Sequence, residues 1–454
     1  MAKKKLPEIG TGTKEEYERL IAAEFDVIKK CVVWDRRHDR AVIMATLPDR
    51  RYPYFYPRDA ACASHLLQSL AASEFSFADE AFHLLKGIVN FTLHVQRKDG
   101  YWGQRYDPDG TEKSIYRQED NVAHGMTILS NFVLAALNRG EEIVKLRSII
   151  TAINRAAAFA LEHHFRREIN LFFSTTSIHE SAIERGYSLW VNYAYLRAFH
   201  LAEKMHNLLG KINISKKILE FVPFFERNIH KLLIHNGRYI RRITPEGDYD
   251  YKPDITLMSP YYFGFQELNS IELRSTIDFM ANHLWDPELG MLQRYLPFTE
   301  DMHTHIHAGN GPWLQYTAML ARYYYKTGEI KLADKILSEM NHYRTAEGYL
   351  PEHLSTFKRF EEFIRLEWDT GFDYEKEFFR EILNPDIKFD FLLEELNNMK
   401  RSYDAIRTRH MENPRAKHIV FALPLMWSHA EYAKALYSRM KWGERTRISN
   451  VSLR

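Results

Sequence analysis

Apolar residues recur every three to four positions along most of the chain, which is the spacing of amphipathic helices. The first predicted helix covers residues 13–31, and Leu20, Phe25 and Ile28 share one of its faces. The same pattern predicts further helices at 58–73, 77–96, 119–138, 141–164, 186–207, 212–234, 254–266, 269–284, 311–327, 329–343 and 424–440. The fold class that follows is all-α.

One segment near the N-terminus departs from the helical pattern. Residues 31–34 and 41–45 are short apolar runs, and the polar stretch 35–40 between them has the composition of a turn. Two such runs around a turn predict a β-hairpin. No stretch rich in Ser, Gly and Pro separates the predicted helices, so we expect a single domain over residues 1–454.

The connections between the helices alternate between short turns and long loops. The short turns fall within 73–77, 138–141, 207–212, 266–269 and 327–329. The long loops recur about every 55–75 residues up to residue 311, as a repeated unit requires. Helical hairpins whose long loops all lie at one end can close into an (α/α)6 toroid. An open solenoid is the alternative, but the chain carries no repeat signature of that class.

Composition narrows the function classes without naming one. The chain has 62 Lys and Arg against 60 Asp and Glu, which excludes a protein dominated by a basic nucleic-acid-binding surface or an acidic tail. Its Gly and Pro contents are low and its aromatic content is 14 %, which excludes collagen-like and disordered classes. The two cysteines, Cys31 and Cys62, cannot form a disulfide framework, and we expect both to be small buried apolar residues.

Nothing in the chain indicates a membrane or secretory segment. No apolar run is long enough to span a bilayer, and no apolar segment follows the basic N-terminus as in a signal peptide. We therefore expect a cytoplasmic protein with neither a membrane nor a nucleic-acid partner.

The long loops carry carboxylates, arginines and aromatic rings. Rings stack on the C–H faces of sugars, arginines and carboxylates bind hydroxyls, and a pair of carboxylates can cleave a glycosidic bond. Each residue alone also has an ordinary explanation, since acidic residues stabilise helix N-termini. Their shared position at loop ends favours one site. The candidates are Arg58, Asp59, Trp102, Glu119, Asp120, His179, Glu180, Arg294, Trp313, Glu352 and Trp427.

Several short motifs occur in a fixed order between residues 24 and 436. They are Pro57-Arg58-Asp59-Ala60, Gln118-Glu119-Asp120, Arg294-Tyr295, Gly309-Asn310-Gly311-Pro312-Trp313, Leu350-Pro351-Glu352-His353 and Pro424-Leu425-Met426-Trp427. In order and spacing they resemble those of glycoside hydrolase family 15, the glucoamylase-like enzymes. The resemblance implies an (α/α)6 barrel and an inverting, exo-acting hydrolase that releases glucose from the non-reducing ends of α-glucans or oligosaccharides, without cofactor or metal.

The resemblance also implies roles for individual residues. Glu180 matches the general acid and Glu352 the general base. Arg58, Asp59 and Arg294 would hold the terminal glucose, with Glu119 and Asp120 as further substrate-binding residues. The rings of Trp102, Trp313 and Trp427 would supply stacking surface.

The segment around the acid departs from the family pattern. The tryptophan that usually precedes the acid is His179 here, and the acidic residue that often follows it is Ser181. We expect His179 either to donate to a sugar hydroxyl or to orient Glu180. Glu184 is a rival candidate for the acid, although its position favours a capping or arginine-paired role.

This departure leaves the specificity open. A trehalase and an α-1,6-specific, glucodextranase-like glucosidase remain alternatives to a glucoamylase. A catalytically silent glucan-binding regulatory module is the alternative from another class, and the presence of both Glu180 and Glu352 disfavours it.

Two further features could carry function of their own. His303, His305 and His307 alternate, as metal ligands on an extended segment do, but a polar loop whose histidines bind sugar or backbone is the favoured interpretation. A helical excursion at about 354–420 exceeds what usually separates the flanking motifs in the family. We expect a flap packed on the barrel, with an oligomer contact or a wall that narrows the cleft as alternatives. The family resemblance also leads us to expect no N-terminal β-sandwich domain of the kind often fused before the barrel in prokaryotic members.

Overall fold

The computed structural model describes residues 9–10, 12–142, 146–180, 184–209, 216–264, 267–296, 311–367, 382–412 and 418–451. Its helices are α1 (Lys14–Lys30), α2 (Pro57–Ala71), α3 (Ala78–Val95), α4 (Asp120–Asn138), α5 (Arg147–Phe159), α6 (Leu189–Leu209), α7 (Lys216–Leu233), α8 (Ser259–Tyr262), α9 (Ile271–Leu284), α10 (Leu314–Thr327), α11 (Ile330–His342), α12 (Phe357–Glu367), α13 (Phe389–Glu412) and α14 (Met426–Val451). A π turn (Ala160–His164) continues α5, and a 3₁₀ turn (Ile255–Met258) precedes α8.

The strands are short and pair mostly as local hairpins. They are β1 (Val32–Asp35), β2 (Arg40–Ile43), β3 (Phe165–Arg166), β4 (Leu171–Phe172), β5 (Tyr187–Ser188), β6 (Ile234–His235), β7 (Arg238–Tyr239), β8 (Arg242–Ile243), β9 (Tyr249–Asp250), β10 (Trp285–Asp286), β11 (Met291–Leu292), β12 (His353–Ser355) and β13 (Ile419–Phe421). The predicted N-terminal β-hairpin is confirmed: β1 and β2 pair antiparallel, with Val32 opposite Ile43.

The helices form two concentric rings, which confirms the predicted (α/α)6 toroid. The inner ring consists of α2, α4, α6, α8, α10 and α14, and it closes where α14 packs on α2. The outer ring consists of α1, α3, α5, α7, α9 and α11. Helices α3, α5, α7 and α11 pack on the preceding inner helix, and α1 packs on α14, so the two ends of the chain form one hairpin. Helix α4 shows its inner position clearly, because every residue from Asp120 to Ala136 is buried.

Two of the differences between the predicted and the observed helices have a local cause. The pattern predicts one helix over 254–266, but this segment forms the 3₁₀ turn and the single-turn helix α8. Pro260 lacks the amide hydrogen needed inside a helix and stands at the start of α8, and Gly264 ends the segment with a φ of +80°. Helix α6 begins three residues later than the predicted 186, because Tyr187 and Ser188 pair with β8.

The excursion predicted at 354–420 contains α12 and α13 and lies between β12 and β13, which pair antiparallel. It has a small apolar core of its own, in which Phe360 and Leu396 pack with Tyr403. Ile115 and Tyr295 from the long loops of the barrel complete that core. The excursion is therefore packed on the barrel at the end where the long loops lie.

Helix α1 is tied to the ring by a buried carboxylate. Glu24 lies 2.6 Å from the Arg344 guanidinium and 2.6 Å from Nδ1 of His429 on α14. Burial opposes ionisation of Glu24, but Arg344 and His429 outweigh it and lower the pKa of the carboxyl.

Among the described residues, no helix is long and apolar enough to cross a bilayer.

Because Glu24 compensates two buried bases, we expect Glu24→Ala to lower the free energy of unfolding by about 3–5 kcal/mol. A depressed native pKa stabilises the fold above the unfolded pKa, close to 4.5, and this stabilisation is lost as the pH falls through the native value. The difference in the free energy of unfolding between wild type and variant should therefore be largest at pH 7 and become smaller below about pH 4. Urea unfolding followed by circular dichroism measures it. Glu18→Ala on the same helix is the control, and an equal loss in both variants would contradict the assigned role.

Candidate active site

The long loops meet at the N-terminal ends of the inner helices and surround a cleft of about 790 Å³, its open mouth included. Its lining contains carboxylates, arginines and rings contributed by loops that are distant in sequence. The predicted residues among them are Arg58, Asp59, Glu180, Arg294, Trp313, Glu352 and Trp427.

Glu180 lies at the boundary between this cleft and a neighbouring cavity, and its side chain is 22 % exposed. Its Oε1 accepts hydrogen bonds from the amides of Gln104 (2.9 Å) and Gln118 (3.0 Å). The Arg58 guanidinium lies 3.8 Å from the same oxygen. Glu180 has a φ of +55°, which a non-glycine residue adopts only where the surroundings enforce it.

Two other carboxylates hold the loop that carries Glu180. Glu184 accepts hydrogen bonds from the backbone N–H groups of Ser177 (2.7 Å) and His179 (2.9 Å), and from the Ser177 hydroxyl. Glu119 accepts from the Thr175 N–H and hydroxyl, both at 2.7 Å. Both oxygens of each carboxylate are thus engaged by the loop. Glu184 is a loop anchor and does not fit the rival role of general acid.

Arg58 joins helix α2 to the loops on either side of it. It donates to the Ser177 carbonyl and to the Gln118 side-chain oxygen, both at 2.7 Å. Its Nε lies 3.9 Å from Asp120. Burial opposes ionisation of Asp120, but Arg58, His124 and Trp190 outweigh it and lower the pKa of this carboxyl. The guanidinium is therefore held between charged and polar partners and is only 5 % exposed.

His179 supports Arg294 from below the cleft. Nε of Arg294 donates to Nδ1 of His179 at 2.8 Å, and Nε2 of His179 lies 3.3 Å from Asp254. Burial lowers the pKa of His179 well below its ordinary value, so the ring is neutral and Nδ1 can accept. Arg294 also donates to the Ile178 carbonyl and lies over the Trp313 ring at 4.4 Å.

Glu352 lies on a loop that is fixed through its backbone. Its N–H donates to the Phe421 carbonyl at 3.0 Å, and its carbonyl accepts from the Leu314 N–H at 3.0 Å. The side chain is 17 % exposed, and Nδ1 of His353 lies 3.4 Å from its Oε2. Glu352 borders the cleft but is absent from the lining of the cavity that Glu180 also borders.

The aromatic lining is stacked on other rings. Trp313 stacks on His353 with centroids 4.5 Å apart, and Trp427 meets Tyr316 edge-on at 5.7 Å. The Trp427 Nε1–H donates to Glu431 at 3.2 Å. These contacts fix the orientation of the rings, so the cleft can offer preformed stacking surface.

Asp59 borders the cleft together with both Glu180 and Glu352. Burial, with smaller contributions from Glu352 and Glu180, raises its pKa to about 7 against the lowering effect of Arg58. The negative charges of Glu352 and Glu180 thus oppose ionisation of Asp59. A carboxyl group with a raised pKa in a cleft is typical of sites that bind or exchange protons.

Four predicted substrate-binding residues do not belong to the lining of the cleft. Trp102 is fully buried, its Nε1–H donates to the Thr92 carbonyl at 2.8 Å, and it packs against Gly125 of α4. The other three are Asp120, His179 and Glu119, which support Arg58, Arg294 and the Glu180 loop respectively. His303, His305, His307 and Ser181 lie outside the described residues.

Sequence reasoning also missed residues that border the cleft. They include Arg51, Tyr52, Gln315, Tyr316 and Tyr403. Arg51 and Tyr52 precede the Pro57 motif by a few residues, and this proximity could have predicted that they border the cleft. Tyr403 lies inside α13, where an ordinary amphipathic pattern gives no sign of it. Among the described residues, no three His, Cys, Asp or Glu side chains come together as a metal site would require.

Comparisons with known proteins support the fold but not a family. No family model matches the chain, and no curated protein matches its sequence. Solved structures do match. A glycosidase variant in complex with glucose is 14 % identical with a TM-score of 0.60, covering 95 % of this chain and 99 % of that one. The glucoamylase from Saccharomycopsis fibuligera is 12 % identical with a TM-score of 0.59, covering 95 % and 96 %. A bacterial glucoamylase complexed with acarbose is 14 % identical with a TM-score of 0.59, covering 93 % and 55 %. The chain thus has the fold of these enzymes.

The raised pKa of Asp59 has a measurable consequence for stability. A carboxyl with a native pKa of about 7 favours the fold while it is protonated, and this contribution is lost as the pH rises from the ordinary value of 3.8 through about 7. We expect Asp59→Asn to leave the free energy of unfolding nearly unchanged at pH 4 and to increase it at pH 8. Each unit by which folding raises the pKa of Asp59 contributes at most about 1.4 kcal/mol to this increase. Urea unfolding at the two pH values measures this. The exposed Asp49→Asn is the matched control, and a gain at pH 4 as large as that at pH 8 would refute the linkage.

Proposed function

We propose that this protein is an inverting, exo-acting α-glucoside hydrolase that releases glucose from non-reducing ends. One observation carries the proposal. Glu180 borders both the cleft and the neighbouring cavity, whereas Glu352 borders the cleft alone. If the glycosidic bond lies at this boundary, the glucose occupies the cleft and the leaving group occupies the neighbouring cavity, which we call the outer cavity. One carboxylate then lies on each side of the bond. The shared fold of glucoamylases and the ordered motifs add support.

Glu180 would act as the general acid. The amides of Gln104 and Gln118 hold its Oε1, so the carboxyl keeps a fixed direction at the boundary. As the bond between the anomeric carbon and the glycosidic oxygen breaks, Glu180 gives its proton to that oxygen, and the leaving group departs as a neutral alcohol.

Glu352 would act as the general base. It takes a proton from a water molecule while the oxygen of that water forms a bond to the anomeric carbon from the opposite face. The result is inversion, which requires the two carboxyl groups to lie about 6.5–9.5 Å apart with the water between them. Asp59 and Arg294 would bind hydroxyls of the terminal glucose, and Trp313 and Trp427 would provide its apolar walls.

The excursion supports a restriction on the size of the substrate. Tyr403 of α13 borders the cleft beside Arg51 and Tyr52. Glu395, Asn398 and Ser402 of the same helix border the outer cavity, where the leaving group would lie. We propose that α13 acts as a wall that favours short leaving groups. This wall also keeps a trehalase as an alternative, because the leaving group of trehalose is a single glucose.

Removing either carboxylate should stop turnover without preventing binding. We expect Glu180→Gln and Glu352→Gln each to lower kcat by about 10²–10⁴-fold, the usual contribution of a positioned acid or base. Glucose affinity, measured by calorimetry, should remain within a few-fold of wild type because the amide keeps the shape of the site. The control is Glu347→Gln, on an exposed turn, which should retain full activity. Normal hydrolysis by either cleft variant would remove that residue from the proposed mechanism.

A panel of maltose, isomaltose, trehalose, maltooligosaccharides and dextran, read by glucose release, tests the linkage and chain length. We expect hydrolysis of short α-linked substrates, with β-glucose as the first product by proton NMR, as inversion requires. Tyr403→Ala should raise kcat/KM for long maltooligosaccharides relative to maltose if α13 is a wall. Release of α-glucose first would exclude inversion. Binding without release from any member would favour the silent module.

A further inference from the structure

A second cavity lies inside the inner ring, beneath the floor of the cleft. Its open volume is about 780 Å³, and Arg58 borders both cavities. From Arg58 at the start of α2, the lining continues down the same helix through Cys62 to His65. Seven helical residues span about 10 Å, so His65 lies roughly that far from the cleft.

The lower part of this cavity contains an excess of positive charge. Arg197 of α6 and both Arg322 and Lys326 of α10 border it. No carboxylate lies within 4 Å of these three groups in the part of the chain that the structure describes. On α14, Lys434 is paired with Glu431 at 2.6 Å, and Glu431 also accepts from Cys62 and Tyr262. Glu431 is thus in contact with Lys434, and from beyond 4 Å its charge helps Tyr261 to raise the pKa of Arg322 against burial.

The three cations repel one another. Burial, with smaller contributions from Arg322, Lys434 and Arg197, lowers the pKa of Lys326 to about 8. Burial and the positive charge of Arg322 lower the pKa of Arg197. Burial, Lys434 and Arg322 lower the pKa of His65 well below its ordinary value, so this ring is neutral. Lys326 lies in the last turn of α10, where the helix dipole favours a cation, but Arg197 and Arg322 lie within their helices, where it does not.

Two hydrogen-bond donors in the same cavity lack a partner among the described residues. They are the buried Nε–H of Arg322 and the buried hydroxyl of Tyr261. Buried donors in native proteins are nearly always satisfied, and each unmet one costs roughly 1–3 kcal/mol. An acceptor with several negatively charged oxygens would satisfy both donors and compensate the cations together.

We propose that this second cavity binds a small phosphate-type oxyanion, either free inorganic phosphate or the phosphoryl group of a small metabolite. Arg197, Arg322 and Lys326 supply the charge, and Tyr261 supplies a neutral donor. The volume exceeds that of phosphate alone, and the stacked rings of Trp190 and Tyr262 border the remaining space. This site is distinct from the cleft, so the proposal stands whether or not the chain hydrolyses glucosides.

Isothermal titration calorimetry on the full chain with sodium phosphate tests the proposal. We expect saturable binding with a Kd of about 1 mM or tighter, and at least about tenfold weaker binding in Arg322→Gln and in Lys326→Gln. Lys326 lies at the exposed rim of the cavity, so its variant should fold even if Arg322→Gln does not. The control is Lys331→Gln, which removes an exposed lysine of α11 and should bind phosphate as wild type does.

Two further arms separate the alternatives. Titration with glucose 6-phosphate, if tighter than with inorganic phosphate, identifies a phosphorylated metabolite as the ligand, and equal or weaker binding identifies the free oxyanion. Titration in the presence of saturating glucose should leave the phosphate Kd unchanged. The absence of saturable binding, an unchanged Kd in Lys326→Gln, or competition with glucose would overturn the proposal.

Discussion

The site depends on the contacts that compensate the buried guanidinium of Arg58. A charge removed from water must be compensated by partners in fixed positions, and the removal of one of them leaves a large penalty. Arg58 meets this demand with the Ser177 carbonyl, the Gln118 side chain and the nearby Asp120. Ser177 and Gln118 belong to two separate loops, so one side chain on α2 brings both loops to the cleft. Gln118 in turn donates to Glu180. The position of the proposed acid thus follows from the need to compensate a buried cation.

The loops around the cleft are irregular, and their backbone groups find partners in carboxylates rather than in a sheet. Glu184 and Glu119 each engage two or more polar groups of the segment 175–179. Such carboxylates look like catalytic candidates in a sequence, since they are acidic and stand at loop ends. Their function is to satisfy buried N–H groups, which cannot be left without partners. The positive φ of Glu180 is sustainable because the surrounding loop is held at so many points.

The periodic pattern was sufficient to predict the helices, and the alternation of short turns with long loops was sufficient to predict that they form rings. Prediction failed where a local constraint outweighs periodicity, as Pro260 does within 254–266. The motifs were sufficient to bring Glu180, Glu352, Arg58 and Arg294 to one cleft. They could not distinguish Trp313, which borders the cleft, from Trp102, which lies in the core. The direction of a ring depends on tertiary packing, here the close approach that the missing side chain of Gly125 allows. Tyr403 reaches the cleft from α13, and the amphipathic pattern of that helix indicates only which face packs against its neighbours.

Although the net charge of the chain is nearly balanced, acidic and basic side chains are separated along the axis of the ring. Three carboxyl groups, Asp59, Glu180 and Glu352, share the cleft, and three cations with no carboxylate partner among the described residues border the cavity beneath it. Between them lie the compensated pairs of Arg58 with Asp120 and of Lys434 with Glu431. In a low-dielectric interior, charges act over about 10 Å without full screening. Nearer groups set the pKa of Asp59, because burial, Glu352 and Glu180 raise it and Arg58 lowers it. The compensated pairs that lie between the two cavities therefore separate the proposed anion site from the carboxylates of the cleft.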